Sequence, residues 1–258
     1  MSLTKFVIYH QPRSGSTMLW GILGNHPQIY CEREIFHQQF EKTTNYCYSK
    51  YKSAKEYLET FFYPMIDSKQ RAFGFKLQGY QARPNLPDPE TELTDVREYI
   101  RSEGYKIIIP YRLNKLDQFV SMKVAWMRNR WQAWEGVVPW ADGTQHEPPF
   151  QTERITVTAA DFNEWYKWDR DMIATIEKES QGLEVLRVTY ERILVDWECQ
   201  INRMLRFLNV EEVSGLKAKT RKAREGTLRD WIENYDEACE IHDAIADPYE
   251  IEYRIEHQ

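Results

Sequence analysis

A segment near the N-terminus combines residue types that are suited to holding an anion. Residues 13–17 read Arg-Ser-Gly-Ser-Thr; they follow an apolar run at 6–8 and precede an apolar stretch with a helical pattern. A strand, a tight turn and a helix N-terminus in this order direct several backbone N–H groups at one spot. Gly15 allows the backbone to approach an anion closely, and Arg13 adds a cation with two parallel donors. The segment is therefore predicted to bind a phosphate-like group.

This segment differs from the common nucleotide-triphosphate loop, G-x-x-x-x-G-K-[ST]. Gly15 and Thr17 match the end of that pattern, but Ser16 stands where it requires lysine, and His10 occupies its first glycine position. The lysine and the usual Mg²⁺ arrangement of γ-phosphate chemistry are thus missing. An ordinary helix cap would explain one Ser or Thr. It would not explain an arginine, a glycine and three hydroxyls together, so the sequence favours an anion site.

A second segment has the character of a phosphate site. An apolar strand pattern at 106–111 leads directly to Arg112, and the carboxyl ends of strands are where open α/β folds bind ligands. Asn114 or Asp117 is a candidate start for the next helix, which would carry Ser121 on the same side. A guanidinium and a hydroxyl can share one phosphate. Alone, Arg112 would read as a surface residue; beside the first segment, it reads as a ligand.

These two segments carry a resemblance to a known family. The run Pro-Arg-Ser-Gly-Ser-Thr-Met-Leu at 12–19 resembles the 5′-phosphosulfate loop of sulfotransferases that use 3′-phosphoadenosine 5′-phosphosulfate. It looks most like the bacterial carbohydrate and nodulation-factor branch. In that family a strand-end arginine and a helix serine bind the 3′-phosphate, which implies this role for Arg112 and Ser121, although Leu113 lengthens their spacing by one residue. The implied nucleotide contacts of the loop are Arg13, Ser14, Gly15, Ser16, Thr17 and Met18.

The resemblance also implies a reaction, namely transfer of a sulfuryl group from this nucleotide to a hydroxyl or amine, with no metal. Charge on the leaving phosphate must be stabilised, and Arg13 is the candidate. A base must take the acceptor proton. Glu34 is the first candidate, because Glu-Ile-Phe at 34–36 resembles the glutamate-then-aromatic segment that supplies the base in the carbohydrate branch. Glu32 and His37 remain open alternatives.

Further residues are candidates for binding the acceptor and closing the site. Lys76, near the end of a predicted strand, is a candidate contact to the sulfonate or the acceptor. Trp140 lies in an irregular, aromatic-rich insert around 126–155, and its ring could stack on a sugar. Lys222 and Arg224 lie in a late basic segment that resembles the family's loop over the 3′-phosphate or adenine. The expected acceptor is a carbohydrate, a glycolipid or another small hydroxylated molecule.

The elements that must position these residues form an α/β pattern. Strand and helix patterns alternate, which predicts a mainly parallel sheet with helices on both faces. The resemblance implies a P-loop-like phosphosulfate loop on this fold. At 258 residues, one domain is expected. Strands are predicted at 6–10, 29–31, 72–78, 106–112 and 183–189, and helices at 16–24, 51–65, 92–103, 114–130, 158–180 and 192–208.

The bulk composition narrows the function classes. A net charge of -6 argues against general nucleic-acid binding, and no apolar run is long enough to predict a membrane span. The four cysteines lack metal-ligand spacing, which favours free thiols in the cytoplasm. Relatives are often dimers, so a homodimer is an expectation. A nucleotide-dependent phosphotransferase and a non-catalytic nucleotide-binding relative remain the alternative functions.

Overall fold

The protein is built on one parallel sheet, seen in a computed structural model that describes residues 3–36, 48–78, 89–127, 154–218, 226–247 and 250, with side chains omitted at 49 and 89–94. The five strands are β1 (Thr4–His10), β2 (Ile29–Glu32), β3 (Ala72–Gln78), β4 (Lys106–Tyr111) and β5 (Val185–Thr189). Their order is β2-β3-β1-β4-β5, and every neighbouring pair is parallel. β1 is therefore central, and the chain crosses it between β3 and β4. Such a switch point opens a crevice at the carboxyl ends of the strands.

Helices cover both faces of this sheet. The described helices are α1 (Ser16–Leu23), α2 (Ala54–Tyr57), α3 (Pro89–Ser102), α4 (Lys115–Met127), α5 (Ala159–Glu179), α6 (Tyr190–Val195), α7 (Trp197–Phe207), α8 (Leu228–Trp231) and α9 (Tyr235–Ile245).

The two faces follow from the alternation of apolar side chains along the strands. Val7 and Tyr9 of β1 pack with residues of α2, α3 and α5. Phe6 and Ile8 point the other way, against α1 and α7. Both sets are buried, because a parallel sheet with helices on each face is apolar on both sides. The predicted α/β fold with a mainly parallel sheet is thus confirmed.

A third apolar cluster lies beside the sheet rather than on it. It joins residues of α4, α5, α8 and α9, including Phe119, Phe162 and Trp231. The start of α5 has the predicted cap, since Thr158 Oγ1 accepts the Asp161 N–H at 3.2 Å. Most of the aromatic-rich insert predicted around 126–155 lies outside the described residues.

Two of the predicted helices were wrong in extent. The 51–65 segment is not one helix: α2 continues into a π-helical turn at Leu58–Phe62 and a 3₁₀ turn at Tyr63–Met65, which contains Pro64. The 192–208 segment is two helices, because Asp196 leaves helical backbone geometry at φ -131° and ψ 61°. Trp197 then anchors α7 by donating from Nε1 to the Leu216 carbonyl at 2.9 Å. Tertiary contacts override a continuous helical pattern in both places.

Candidate active site

The loop between β1 and α1 has the backbone of an anion cradle. Arg13 and Gly15 both have positive φ, 61° and 92°, so the chain turns sharply before α1. Gly15 is the N-cap of α1 and provides no side-chain cap. The first N–H groups of a helix have no intrahelical partner, so those of Ser16, Thr17 and Met18 are directed at the turn. This arrangement fits a phosphate or sulfate group at the helix N-terminus.

Gly15 is required by its surroundings as well as by its φ. A Cβ on this residue would stand 2.6 Å from Cδ2 of Tyr190, the first residue of α6. The Tyr190 ring thus packs directly under the loop. No local sequence signal predicts this contact, because Tyr190 comes more than 170 residues later in the chain.

The hydroxyls of the loop divide into two roles. Ser14 is buried, and its hydroxyl donates to the Gln11 carbonyl at 2.9 Å, so this proton braces the turn rather than facing a ligand. The implied contact of Ser14 with the nucleotide stays a prediction. Thr17 Oγ1, by contrast, accepts a hydrogen bond from Lys76 Nζ at 3.1 Å. Ser16 is buried at the start of α1.

The two predicted phosphate segments meet in space. Arg13 Nε donates to Ser121 Oγ at 2.9 Å, and one terminal nitrogen of Arg112 donates to the Arg13 carbonyl at 3.1 Å. Burial, followed by the neighbouring Arg112 charge, lowers the pKa of Arg13 to about 10. Two guanidinium groups held this close in a partly buried site favour a ligand with several negative charges.

The contacts that hold Arg112 in place were not predicted from the sequence. Its guanidinium lies 4.7 Å from the centroid of the Tyr190 ring and forms an ion pair with Asp117. The turn after β4 is fixed by Glu191, whose carboxylate accepts the backbone N–H groups of Leu113 and Asn114 at 3.1 Å. The start of α6 therefore supports both the loop and the second phosphate segment.

Lys76 connects the loop to the candidate base. It is 1% exposed, and its Nζ lies 2.5 Å from Glu34 Oε1 as well as 3.1 Å from Thr17 Oγ1. A lysine that is missing from the loop itself is thus brought to it from β3. The signal in the sequence was a lysine on the strand face that it shares with Ala72, Gly74 and Gln78.

Glu34 is a buried carboxylate between two nitrogen groups. Its Oε1 lies 2.5 Å from Lys76 Nζ and 3.5 Å from His10 Nε2. Burial by itself raises the pKa of Glu34, but the Lys76 charge lowers the pKa well below its usual range. Glu34 is therefore ionised at neutral pH and able to accept a proton.

The alternative base Glu32 does not share this position. Glu32 interacts with the Tyr30 hydroxyl on the edge strand β2 and is only partly buried. His37, Trp140, Lys222 and Arg224 lie outside the described residues, so their predicted roles stay predictions. Among the described acidic residues that were predicted as bases, Glu34 alone is linked by contacts to the anion loop.

No group of three or more His, Cys, Asp or Glu side chains in the described part of the chain could hold a metal ion. No helix there is long and apolar enough to cross a membrane.

Comparison with solved structures identifies the fold. A sulfotransferase from Alicyclobacillus acidocaldarius matches with a TM-score of 0.52 and 14% identity, covering 100% of this chain and 98% of that one. The mouse sulfotransferase SULT7A1 complexed with PAP has a TM-score of 0.46 and 17% identity over 96% of this chain and 74% of that one. No family model and no curated protein matches the chain. The first of these likenesses shows that this chain has the sulfotransferase fold.

Proposed function

We propose that this protein transfers a sulfuryl group from 3′-phosphoadenosine 5′-phosphosulfate to a hydroxyl or amine of a small acceptor. The observation that carries the proposal is the chain of contacts Thr17–Lys76–Glu34. It joins an anion loop to a buried carboxylate through one lysine, with distances of 3.1 and 2.5 Å. A sulfotransferase needs a base beside the transferring group, and this connection supplies one.

The residues of the loop would hold the 5′-phosphosulfate group. The N-terminal amides of α1, the Arg13 guanidinium and the Lys76 ammonium surround one turn of backbone. Positive groups fixed in advance stabilise the charge that develops on a leaving phosphate. The nucleotide supplies the activated sulfuryl group, and the chain supplies the charges that orient it.

The second phosphate segment would hold the 3′-phosphate. Arg112 and Ser121 are both buried and both contact Arg13, so a ligand with phosphates at its two ends would be gripped by one connected network. A bisphosphorylated nucleotide matches this pair of sites better than a triphosphate does. Lys222 and Arg224 remain proposed contacts to the same end of the nucleotide.

Glu34 would act as the base toward the acceptor. Its carboxylate is ionised, and it contacts the same Lys76 ammonium that donates to Thr17. We propose a carbohydrate, a glycolipid or another small hydroxylated molecule as acceptor, with His37 and Trp140 among the contacts.

The thiols of Cys31, Cys199 and Cys239 are not in disulfides, which fits the proposed location in the cytoplasm.

Thermal unfolding with added nucleotide tests the proposal. Adenosine 3′,5′-bisphosphate should raise the melting temperature, because a ligand that binds only the folded state stabilises it by mass action. ATP with Mg²⁺ should raise it less. The variant Arg112→Met should lose the shift, whereas Lys123→Met, on the same helix as Ser121 but paired with Asp161, should keep it.

The opposite results have clear meanings. A shift with Mg-ATP alone would favour a phosphotransferase. A shift with the bisphosphate but no release of sulfate from 3′-phosphoadenosine 5′-phosphosulfate would indicate a nucleotide-binding protein without catalysis. No shift with either nucleotide would contradict the proposed function.

A further inference from the structure

The group behind Glu34 is a histidine whose hydrogen bonding is incomplete. His10 ends β1 and is 2% exposed. Its Nδ1 lies 3.0 Å from the Gln11 carbonyl oxygen, whereas its Nε2 has no hydrogen-bond partner among the described residues. Buried polar atoms are nearly always partnered, so an orphaned one at a candidate active site calls for a functional explanation.

The Gln11 carbonyl determines which ring nitrogen carries the proton. A carbonyl oxygen only accepts, so Nδ1 must be the donor. Burial lowers the pKa of His10, and the Lys76 charge acts in the same direction against the opposing effect of Glu34. The ring is therefore neutral, and Nε2 carries a lone pair.

In this tautomer the contact between His10 and Glu34 has no hydrogen atom with which to form a hydrogen bond. Nε2 and Glu34 Oε1 are 3.5 Å apart, and with the ring neutral and the carboxylate ionised neither atom has a hydrogen to donate. A protonated Glu34 would complete the pair, because its carboxyl would donate to Nε2. Lys76, which contacts the same oxygen, favours the ionised state instead.

We infer that His10 is a positioning residue whose Nε2 accepts a hydrogen bond from Glu34 at the moment when Glu34 takes the proton of the acceptor. The inference rests on the proposed function. The acceptor O–H bond breaks as its oxygen bonds to sulfur, and the bond from sulfur to the phosphate oxygen breaks. The electron pair of that bond stays on adenosine 3′,5′-bisphosphate. The proton is held between Glu34 Oε1 and His10 Nε2.

This arrangement resolves a difficulty in using Glu34 as a base. A carboxylate stabilised by Lys76 holds protons weakly, so it would be a poor base without help. The lone pair on His10 Nε2 can accept a hydrogen bond only from the protonated Glu34 carboxyl, so it stabilises only that form. It therefore favours the state that is reached during the reaction and not the resting state.

The first test reads the tautomer and needs no substrate. In ¹⁵N-labelled protein at pH 7, His10 should show a protonated Nδ1 and a bare Nε2. His26 provides an internal reference of the opposite tautomer, because its Nε2 lies 2.8 Å from the Glu211 carbonyl and its Nδ1 accepts from the Gln28 N–H at 3.1 Å. Loss of signals in His10→Asn and His26→Asn assigns the rings. A proton on Nε2 of His10 would overturn the inference.

The second test uses the variant that removes only the relevant atom. His10→Asn keeps a donor near the Gln11 carbonyl but has no counterpart of Nε2. Release of sulfate from 3′-phosphoadenosine 5′-phosphosulfate, with water as acceptor, should fall by about tenfold in kcat, the lower range for an assisted proton transfer. KM for the nucleotide and the thermal shift with the bisphosphate should not change. A purely structural role would instead lower the melting temperature and change KM together with kcat.

The outcomes separate this inference from the function on which it rests. Wild-type protein that neither binds the bisphosphate nor releases sulfate would overturn both. Wild-type protein that releases sulfate, with His10→Asn equally fast, would overturn the His10 inference alone. His26→Asn serves as the matched control, and it should change stability without changing kcat.

Discussion

At the scale of single residues, the candidate base and its lysine form a pair whose members can be tested separately. Glu34→Gln keeps the shape of the side chain and removes its ability to accept a proton. Sulfuryl transfer should fall by about 10²- to 10⁴-fold, the usual effect of a general base. Binding of adenosine 3′,5′-bisphosphate should be retained. Glu32→Gln, two residues away on the edge strand, should stay active, and equal loss in both variants would contradict the assignment.

Lys76→Met should destabilise the protein because it leaves Glu34 buried without its strongest partner. Removing one member of a buried ion pair costs roughly 3–5 kcal/mol. The double variant Lys76→Met/Glu34→Gln should recover part of this loss, since it removes the uncompensated charge. Urea unfolding of the two single variants and the double variant measures the coupling. A double variant whose loss of stability equals the sum of the two single losses would show that the pair contributes no coupling energy.

The lowered pKa of Glu34 has a consequence for stability in acid. In the unfolded chain Glu34 takes up a proton near its ordinary value of 4.5, whereas in the folded protein it stays ionised to lower pH. The unfolded state therefore binds more protons as the pH falls below 4.5, and the contribution of Glu34 to stability is lost there. The melting temperature of wild type should fall more steeply below this pH than that of Glu34→Gln. If the melting temperatures of wild type and Glu34→Gln fell in parallel with pH, that result would contradict the lowered pKa of Glu34.

At the scale of elements, the loop between β1 and α1 depends on one glycine and the start of α6. Gly15→Ala should lose stability for two reasons: the φ of this residue is 92°, and Tyr190 Cδ2 stands 2.6 Å from the position of the new Cβ. Gly182→Ala is the matched control, since its φ is 83° but nothing lies within 4 Å. The backbone term costs each variant about 1–2 kcal/mol.

The difference between these two variants isolates the contact with Tyr190. Gly15→Ala should lose nucleotide binding and more stability than Gly182→Ala, as measured by thermal shift and urea unfolding. Adding Tyr190→Ala to Gly15→Ala should restore part of the stability. Equal losses in Gly15→Ala and Gly182→Ala would show that the ring can move aside without cost.

At the scale of the whole molecule, a buried polar network links the helices beside the sheet to the anion loop. Lys115 Nζ lies 2.8 Å from Asp169 Oδ2, and both side chains are fully buried. Gln118 Nε2 contacts Asp169 Oδ1 at 3.2 Å and donates to the Pro12 carbonyl at 2.9 Å. The packing of α4 on α5 is therefore connected to the backbone that enters the loop.

Asp169→Ala should thus weaken the fold and the site together. It leaves the Lys115 charge without its nearest partner, which costs roughly 3–5 kcal/mol, and it frees Gln118. The melting temperature and the affinity for the bisphosphate should both fall. Asp171→Ala, exposed on the same helix, should stay within about 0.5 kcal/mol of wild type. Unchanged nucleotide affinity in Asp169→Ala would disprove the connection.

Local sequence patterns were sufficient for the strands and for the turn before α1. The strand at 72–78 was predicted to the residue, and the turn before α1 was read from Arg13, Gly15 and the apolar runs on each side. These features depend on near neighbours along the chain, where side-chain period and backbone freedom act directly. The family resemblance, rather than a local pattern, singled out Glu34 as the candidate base and left Glu32 and His37 open, because all three share one short segment.

The tertiary structure decided which distant residues meet at that loop. Lys76 reaches Thr17 across 59 positions and Arg13 reaches Ser121 across 108, and neither spacing carries a periodic signal. The unpartnered Nε2 of His10 and the position of Tyr190 under Gly15 are likewise properties of packing. A sequence by itself determines the period and the turns of its elements. The strand order of the sheet determines which of their ends lie side by side, and here it places a lysine of β3 between the loop and Glu34.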